Sequence, residues 1–152
     1  MPKTSVFQDV CWYLSGYADG EGSFCVSFSP RSKLKTKLEV RPSFSVSQNS
    51  DRSEVLELFQ KTLDCGTIRP DRSDKTLKFE VRSLGEINEK VIPFFEKYPL
   101  KSSKYKDFLL FSNICRKIAG KPSIREIINL AVKMNTSGKR KYNTQKLLSI
   151  LR

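Results

Sequence analysis

Asp19-Gly20-Glu21-Gly22 puts two carboxylates and two glycines into four consecutive residues, and it is their place in the chain that suggests chemistry. They end an apolar run, Val6 to Leu14, whose spacing of large residues predicts a helix. Ser5 and Gln8 form a capping box for a start near Ser5, and the helix should end near Asp19. At that end the helix dipole disfavours anions by about 0.3–1 kcal/mol each, so Asp19 and Glu21 require compensation. One form is a bound cation, and a hard divalent ion such as Mg²⁺ prefers carboxylate and carbonyl oxygens. The other is solvation of the acids beside C-cap glycines. Ser15, Gly16, Ala18 and Gly20 add a small-residue face, kept although each helical glycine costs about 1 kcal/mol relative to alanine. Such a face admits another backbone at close range.

Composition narrows the chemistry. The 152 residues contain no histidine, which removes Ser–His hydrolysis and most zinc sites and leaves carboxylates, lysines and a hard metal. Cys11, Cys25, Cys65 and Cys115 show no CxxC pairing and are expected as reduced thiols of an intracellular protein. No run suits a membrane span or a signal peptide. Residues 1–100 carry 15 Lys or Arg against 14 Asp or Glu, whereas residues 101–152 carry 13 against 2. A basic final third of this kind, without a strongly amphipathic aromatic helix, points to nucleic acid as partner rather than a membrane surface. No small-molecule substrate is expected.

The elements around the acids follow from periodicity. Gly22 to Phe28 alternates, with Phe24, Val26 and Phe28 on one face and Ser23, Cys25, Ser27 and Ser29 on the other. After a basic loop with Arg31, Lys33 and Lys35, a second strand runs from Lys37 to Gln48. It turns Leu38, Val40, Phe44 and Val46 inward and Lys37, Glu39, Arg41, Ser43, Ser45 and Ser47 outward. Ser53 to Leu63 is helical, ended by Cys65-Gly66. A second hairpin runs from Thr67 through Arg69 to Asp71, turns at Arg72, and returns from Lys75 to Ser83, with Lys78, Glu80 and Arg82 outward. Helices follow from Leu84 to about Tyr98, from Tyr105 to Ala119, from Pro122 with Ser123 and Glu126 as a capping box, and from about Asn143. The order is αββαββα with extra C-terminal helices, an α+β domain with a core at about 5–119 and an extension at 120–152. The outward serines and long charged side chains suit contacts to base edges and phosphates, although a solvated sheet face has the same composition. The loop with Lys139, Arg140 and Lys141 reads as a phosphate clamp or a targeting signal.

Leu14 to Gly22, LSGYADGEG, resembles the nine-residue signature of the LAGLIDADG homing endonucleases. Leu14, Gly16, Asp19, Gly20 and Gly22 match, Glu21 is a common variant of the final acid, and Ser15, Tyr17 and Ala18 depart mildly. Phe44-Ser45-Val46-Ser47-Gln48 resembles the family's second-strand segment, and Pro93 to Lys104 its lysine-bearing stretch. The resemblance implies the αββαββα fold with an antiparallel DNA-binding sheet. It further implies metal-dependent cleavage of both strands at a long, nearly palindromic site in double-stranded DNA, in the service of intron homing. Because the motif occurs once, it implies a homodimer paired through Trp12, Ser15, Gly16, Asp19 and Gly20. Glu21 and the Gly20 carbonyl would hold Mg²⁺, Gln48 would position water, and Lys104, with Lys101 as substitute, would offset phosphate charge. The same resemblance allows a catalytically inactive DNA-binding protein or a splicing maturase. A protein with this task belongs at the genome, in a prokaryotic cytoplasm or an organelle.

Overall fold

A computed structural model describes residues 5–72, 75–120, 123–135 and 143–151. The Lys139, Arg140 and Lys141 segment lies outside those residues. Helix α1 spans Val6–Glu21, and both halves of the expected Ser5–Gln8 capping box are formed. Strands β1 (Gly22–Pro30) and β2 (Leu38–Asn49) follow, then α2 (Glu54–Leu63), β3 (Thr67–Pro70) and β4 (Thr76–Val81). A broken helix comes next: α3 (Leu84–Glu86), a π turn (Ile87–Val91) and α4 (Ile92–Lys97). The chain continues with α5 (Lys104–Ile118), α6 (Ile124–Ala131) and α7 (Thr144–Ile150). The αββαββα order is the one expected.

The four strands form one antiparallel sheet in the order β1-β2-β4-β3. Side chains alternate across a strand, so Phe24, Phe44, Val46, Phe79 and Val81 all enter one buried face. There they meet Leu14 and Ala18 of α1, Phe59 of α2, Phe95 of α4 and Phe108 and Phe111 of α5. Aromatic rings dominate this contact, with Phe24 and Phe44 centroids 5.1 Å apart and Phe95 5.2 Å from Phe44. Among the described residues helices cover only this face, which leaves the serine-rich face open. A smaller cluster of Leu38, Ile128 and Leu147 fixes α6 and α7 near the β1–β2 loop. Among the described residues no helix is long and apolar enough to cross a membrane. All four cysteines are free, Cys25 exposed and the others buried.

Several boundaries differ from expectation for local reasons. Lys37 is not in β2; it has φ 59° and closes the loop, its N–H donating to Leu34 O and its carbonyl accepting from Arg31 N. Helix α2 ends on Asp64 in the left-handed conformation, while Gly66 (φ +86°) passes so close to the core that a Cβ would lie 2.5 Å from the Phe79 ring. The Leu84–Lys97 helix widens into a π turn just before Pro93, with Ile92 N–H donating to Ile87 O. Proline lacks an N–H and its ring crowds the carbonyl four residues back, which a wider turn relieves. The Ser123–Glu126 capping box does not form: the Ser123 side chain makes no cap bond, and Glu126 instead pairs with Lys117 at 2.8 Å.

Strand parity gives a direct test. Phe44→Ala should cost about 3–5 kcal/mol in chemical denaturation, whereas Arg41→Ala should leave stability near the parent's. The reverse pattern would put β2 out of register by one residue.

Candidate active site and nucleic-acid interface

Helix α1 passes into β1 without a loop, and the chain at this corner leaves no room for a side chain. A Cβ on Gly22 would sit 2.7 Å from Ala18 O, while the Gly22 N–H donates to that same carbonyl. Since φ at Gly22 is −78°, space rather than backbone conformation demands glycine. The lead-in to α5 packs against the corner and neutralises it. The Lys104 ammonium donates to Gly22 O at 2.6 Å and Ala18 O at 3.2 Å. The Asp19 carboxylate accepts from the Lys101 and Ser102 amides, each at 2.9 Å, and from the Ser102 hydroxyl.

These contacts answer the electrostatic question raised by the sequence. Lys104 supplies the positive charge that the carbonyl end of α1 favours. Burial pushes its pKa down, against the opposing pull of Asp19, Glu21 and Asp107. Burial would raise the Asp19 pKa, but the Ser102 hydroxyl, the two amides and Lys104 outweigh it and hold the carboxyl below its ordinary value. Asp19 is therefore engaged within its own chain. Glu21 is exposed, four residues beyond Tyr17 on the same side of the helix. Of the two candidate lysines, the structure brings Lys104 to the acids. The Lys101 ammonium instead lies 5.2 Å from the Trp12 ring centroid.

Gln48 lies near the end of β2 on the helix-facing side, opposite Leu77. Its side-chain amide donates to the Tyr17 hydroxyl and accepts from Asn49 N at 2.7 Å. Tyr17 was not among the residues expected to act. The available signal was its place one helical turn before Glu21, on a helix that the parity of β2 turns toward Gln48.

The open sheet face carries the strand residues expected on it. Ser23 lies opposite Ser45, Cys25 opposite Ser43, Ser27 opposite Arg41 and Ser29 opposite Glu39. Ser45 and Thr67 both lie opposite Glu80, and Ser47 and Arg69 opposite Lys78. The acids on this face do not present themselves to a ligand. Glu39 accepts from Arg31 Nε at 2.8 Å and Arg41 Nη2 at 3.0 Å, and these two arginines, Arg41 first, hold its carboxyl below the usual range. Glu80 is buried and accepts from Arg82 at 2.7 Å and Arg69 at 3.3 Å. Glu80, expected on the DNA-facing side, is instead buried beneath two guanidinium groups, which both engage its Oε1. Lys33 and Lys35 are exposed in the β1–β2 loop, and Arg72 and Lys75 in the β3–β4 connection.

A sequence profile described as LAGLIDADG endonuclease matches residues 14–115. The chain belongs to that family. A protein from Neurospora crassa named "Probable intron-encoded endonuclease 2" is 32% identical over 103 residues, covering 67% of this chain and 23% of that protein. Less than a quarter of that relative's length is therefore spanned. The solved structure of the archaeal intron-encoded homing endonuclease I-Vdi141I complexed with DNA aligns at TM-score 0.87 and 27% identity, over 95% of both chains. That of the I-LtrWI LAGLIDADG homing endonuclease bound to target DNA aligns at TM-score 0.82 and 35% identity, over 89% of this chain but 47% of that one.

The LAGLIDADG helix divides its small residues between two directions. Ser15 and Ala18 are buried within the protomer, and Ser15 donates to Tyr98 O at 2.7 Å. Ser15 is thereby removed from the expected pairing face, and Asp19, bound to the Lys101–Ser102 amides, serves that face at most from behind. A Cβ on Gly16 or Gly20 would meet nothing within 4 Å. Together with exposed Tyr13 and partly exposed Trp12, these glycines form an open strip. Trp12 is held edge-on by Tyr98 at 5.2 Å.

The Asp19 contacts have a pH signature. A carboxyl whose folded pKa is depressed contributes stability above its ordinary value of about 4, and that stability is lost as pH falls through the folded value. Asp19→Asn should lower stability on the order of 1 kcal/mol at pH 7, allowing for solvent screening. The difference should shrink as pH is lowered below about 4. Urea denaturation across pH 2–7 checks this, and a difference independent of pH would remove the charge from the account.

Proposed function

We propose that two copies of this unit pair and hydrolyse phosphodiesters of double-stranded DNA at a specific, nearly twofold-symmetric site, with a divalent cation such as Mg²⁺. The observation that carries the proposal is the exposed Glu21 carboxylate at a helix end that Asp19 and Lys104 hold rigid. An acid there has an electrostatic cost, which Lys104 offsets through space, and among the described residues no hydrogen bond or ion pair engages its carboxylate, which favours a nuclease over a protein that only binds DNA. The open Gly16–Gly20 strip supports pairing, as does the likeness to half the length of I-LtrWI. The arginine-rich open sheet face supports DNA as the substrate, with Arg41 and Arg69 able to reach base edges.

The donors fit a hard cation: one carboxylate and the Gly20 carbonyl from each copy, all oxygen. Mg²⁺ is commonly held by one or two carboxylates with water and substrate phosphates, and pairing would bring the second Glu21 to the first. When bound there, the cation would lower the pKa of a water and neutralise charge on the phosphate. Lys104 uses two of its three N–H donors on the Ala18 and Gly22 carbonyls and retains one for a phosphate oxygen. Gln48 would orient the attacking water.

Incubating the protein and Mg²⁺ with a duplex library of randomised sequence, then sequencing cut ends, should recover one recurring site cut on both strands. Glu21→Gln should reduce cleavage of that site to background while keeping its affinity within about tenfold, because only the charge is removed. Cleavage by the variant at the parent's rate would remove Glu21 from the reaction.

A further inference from the structure

Two hydrogen bonds hold the Gln48 side-chain amide, and one of them fixes which way it points. The Asn49 backbone N–H can only donate, so the oxygen of the Gln48 amide must face it. The Nε2 group is then left facing Tyr17, whose hydroxyl accepts from it. The phenol that receives this bond is itself held. Its ring lies between Tyr13, one turn back on α1, and Phe59 of α2, each 6.2 Å away by centroid. A rotation of the amide would set N–H against N–H at Asn49, whereas the phenol, which can donate as well as accept, would tolerate either atom. One N–H and one lone pair of the amide remain uncommitted, which is what a side chain needs to hold a water as both donor and acceptor.

We infer that Tyr17 is a positioning residue, which anchors the Nε2 end of the amide that Asn49 N–H orients, so that the remaining N–H and lone pair of Gln48 meet the attacking water. This rests on the nuclease reading and on the place given there to Gln48. Burial raises the Tyr17 pKa, and the nearby Glu21 charge adds to the effect, so the phenol stays protonated across the neutral range. Its own O–H is then available to extend the network toward Glu21, one turn further along α1. Phenylalanine at position 17 would keep the ring packing and lose only the hydroxyl, which makes the substitution a clean probe.

The test measures single-turnover cleavage, with Mg²⁺, of the duplex recovered from the randomised library by the parent protein. Tyr17→Phe, Gln48→Ala and the double variant are compared. Tyr17→Phe should slow cleavage about 10- to 100-fold, as loss of positioning does, with duplex affinity changed less than about twofold. In the Gln48→Ala background the same substitution should cause no further loss, because Tyr17 acts only through the amide. A second readout needs no cleavage. The Gln48 side-chain amide protons, assigned by their absence in Gln48→Ala, should exchange with solvent faster in Tyr17→Phe. Parental cleavage by Tyr17→Phe, equal losses in both backgrounds, or unchanged amide exchange would each overturn the inference. Parental cleavage by Gln48→Ala would remove Gln48 from the water and this role with it. If the parent cuts no duplex, the nuclease reading itself fails, while amide exchange still decides whether Tyr17 holds Gln48.

Discussion

The carboxyl end of α1 is where the fold and the site become one constraint. A helix ends with unsatisfied carbonyls, and here the strand begins at once, so no loop is free to hydrate them. Lys104 donates to two carbonyls at this corner, that of Gly22 and that of Ala18, which the Gly22 N–H also reaches, and Asp19 takes the amides of the segment that delivers Lys104. The two contacts form a reciprocal clasp between the motif and α5. Gly22 must be glycine for the clasp to close. Because Gly22 pairs with Val46 in the sheet, the clasp also sets Gln48, two residues further along β2, in a fixed relation to Glu21. Displacing Lys104 would therefore disturb helix end, sheet edge and site together.

Charge is distributed with the same economy. Of the acids on or beside the open face, Glu39 and Glu80 are each spent on two arginines, which orients the guanidinium groups without adding acceptors for a polyanion to avoid. Glu21 is left open. In a chain with net charge +12, an exposed acid at a helix carboxyl end is the residue whose charge is least explained by folding. This is the physical ground for giving it the central part in the proposed reaction.

The order of elements was legible because burial on one face enforces alternation in strands and a stripe in helices. Both hairpins and the inward set of Phe24, Phe44, Val46 and Phe79 follow from it, and the Ser5 cap follows from the spacing of Ser5 and Gln8. What was not legible depends on angle and on distant partners. Successive helical residues diverge by about 100°, so Ser15 and Gly16, adjacent in sequence, point one into the core and the other out. Spacing could not separate Lys101 from Lys104, since both fall within reach of the motif and only the path of the chain before α5 decides. The π turn before Pro93 and the left-handed Asp64 arise from crowding that pattern does not record. Tyr17 looked like a tolerated variant because its partner, Gln48, lies 31 residues away.

The central claim is that Glu21 from two copies of the unit holds one reaction centre on DNA. Anomalous diffraction from crystals grown with the selected duplex and Mn²⁺ in place of Mg²⁺ tests it most directly. The account predicts anomalous density at the molecular twofold, with a Glu21 oxygen from each copy about 2.0–2.3 Å from metal. Metal bound away from both Glu21 side chains, or held by one copy alone, would contradict it.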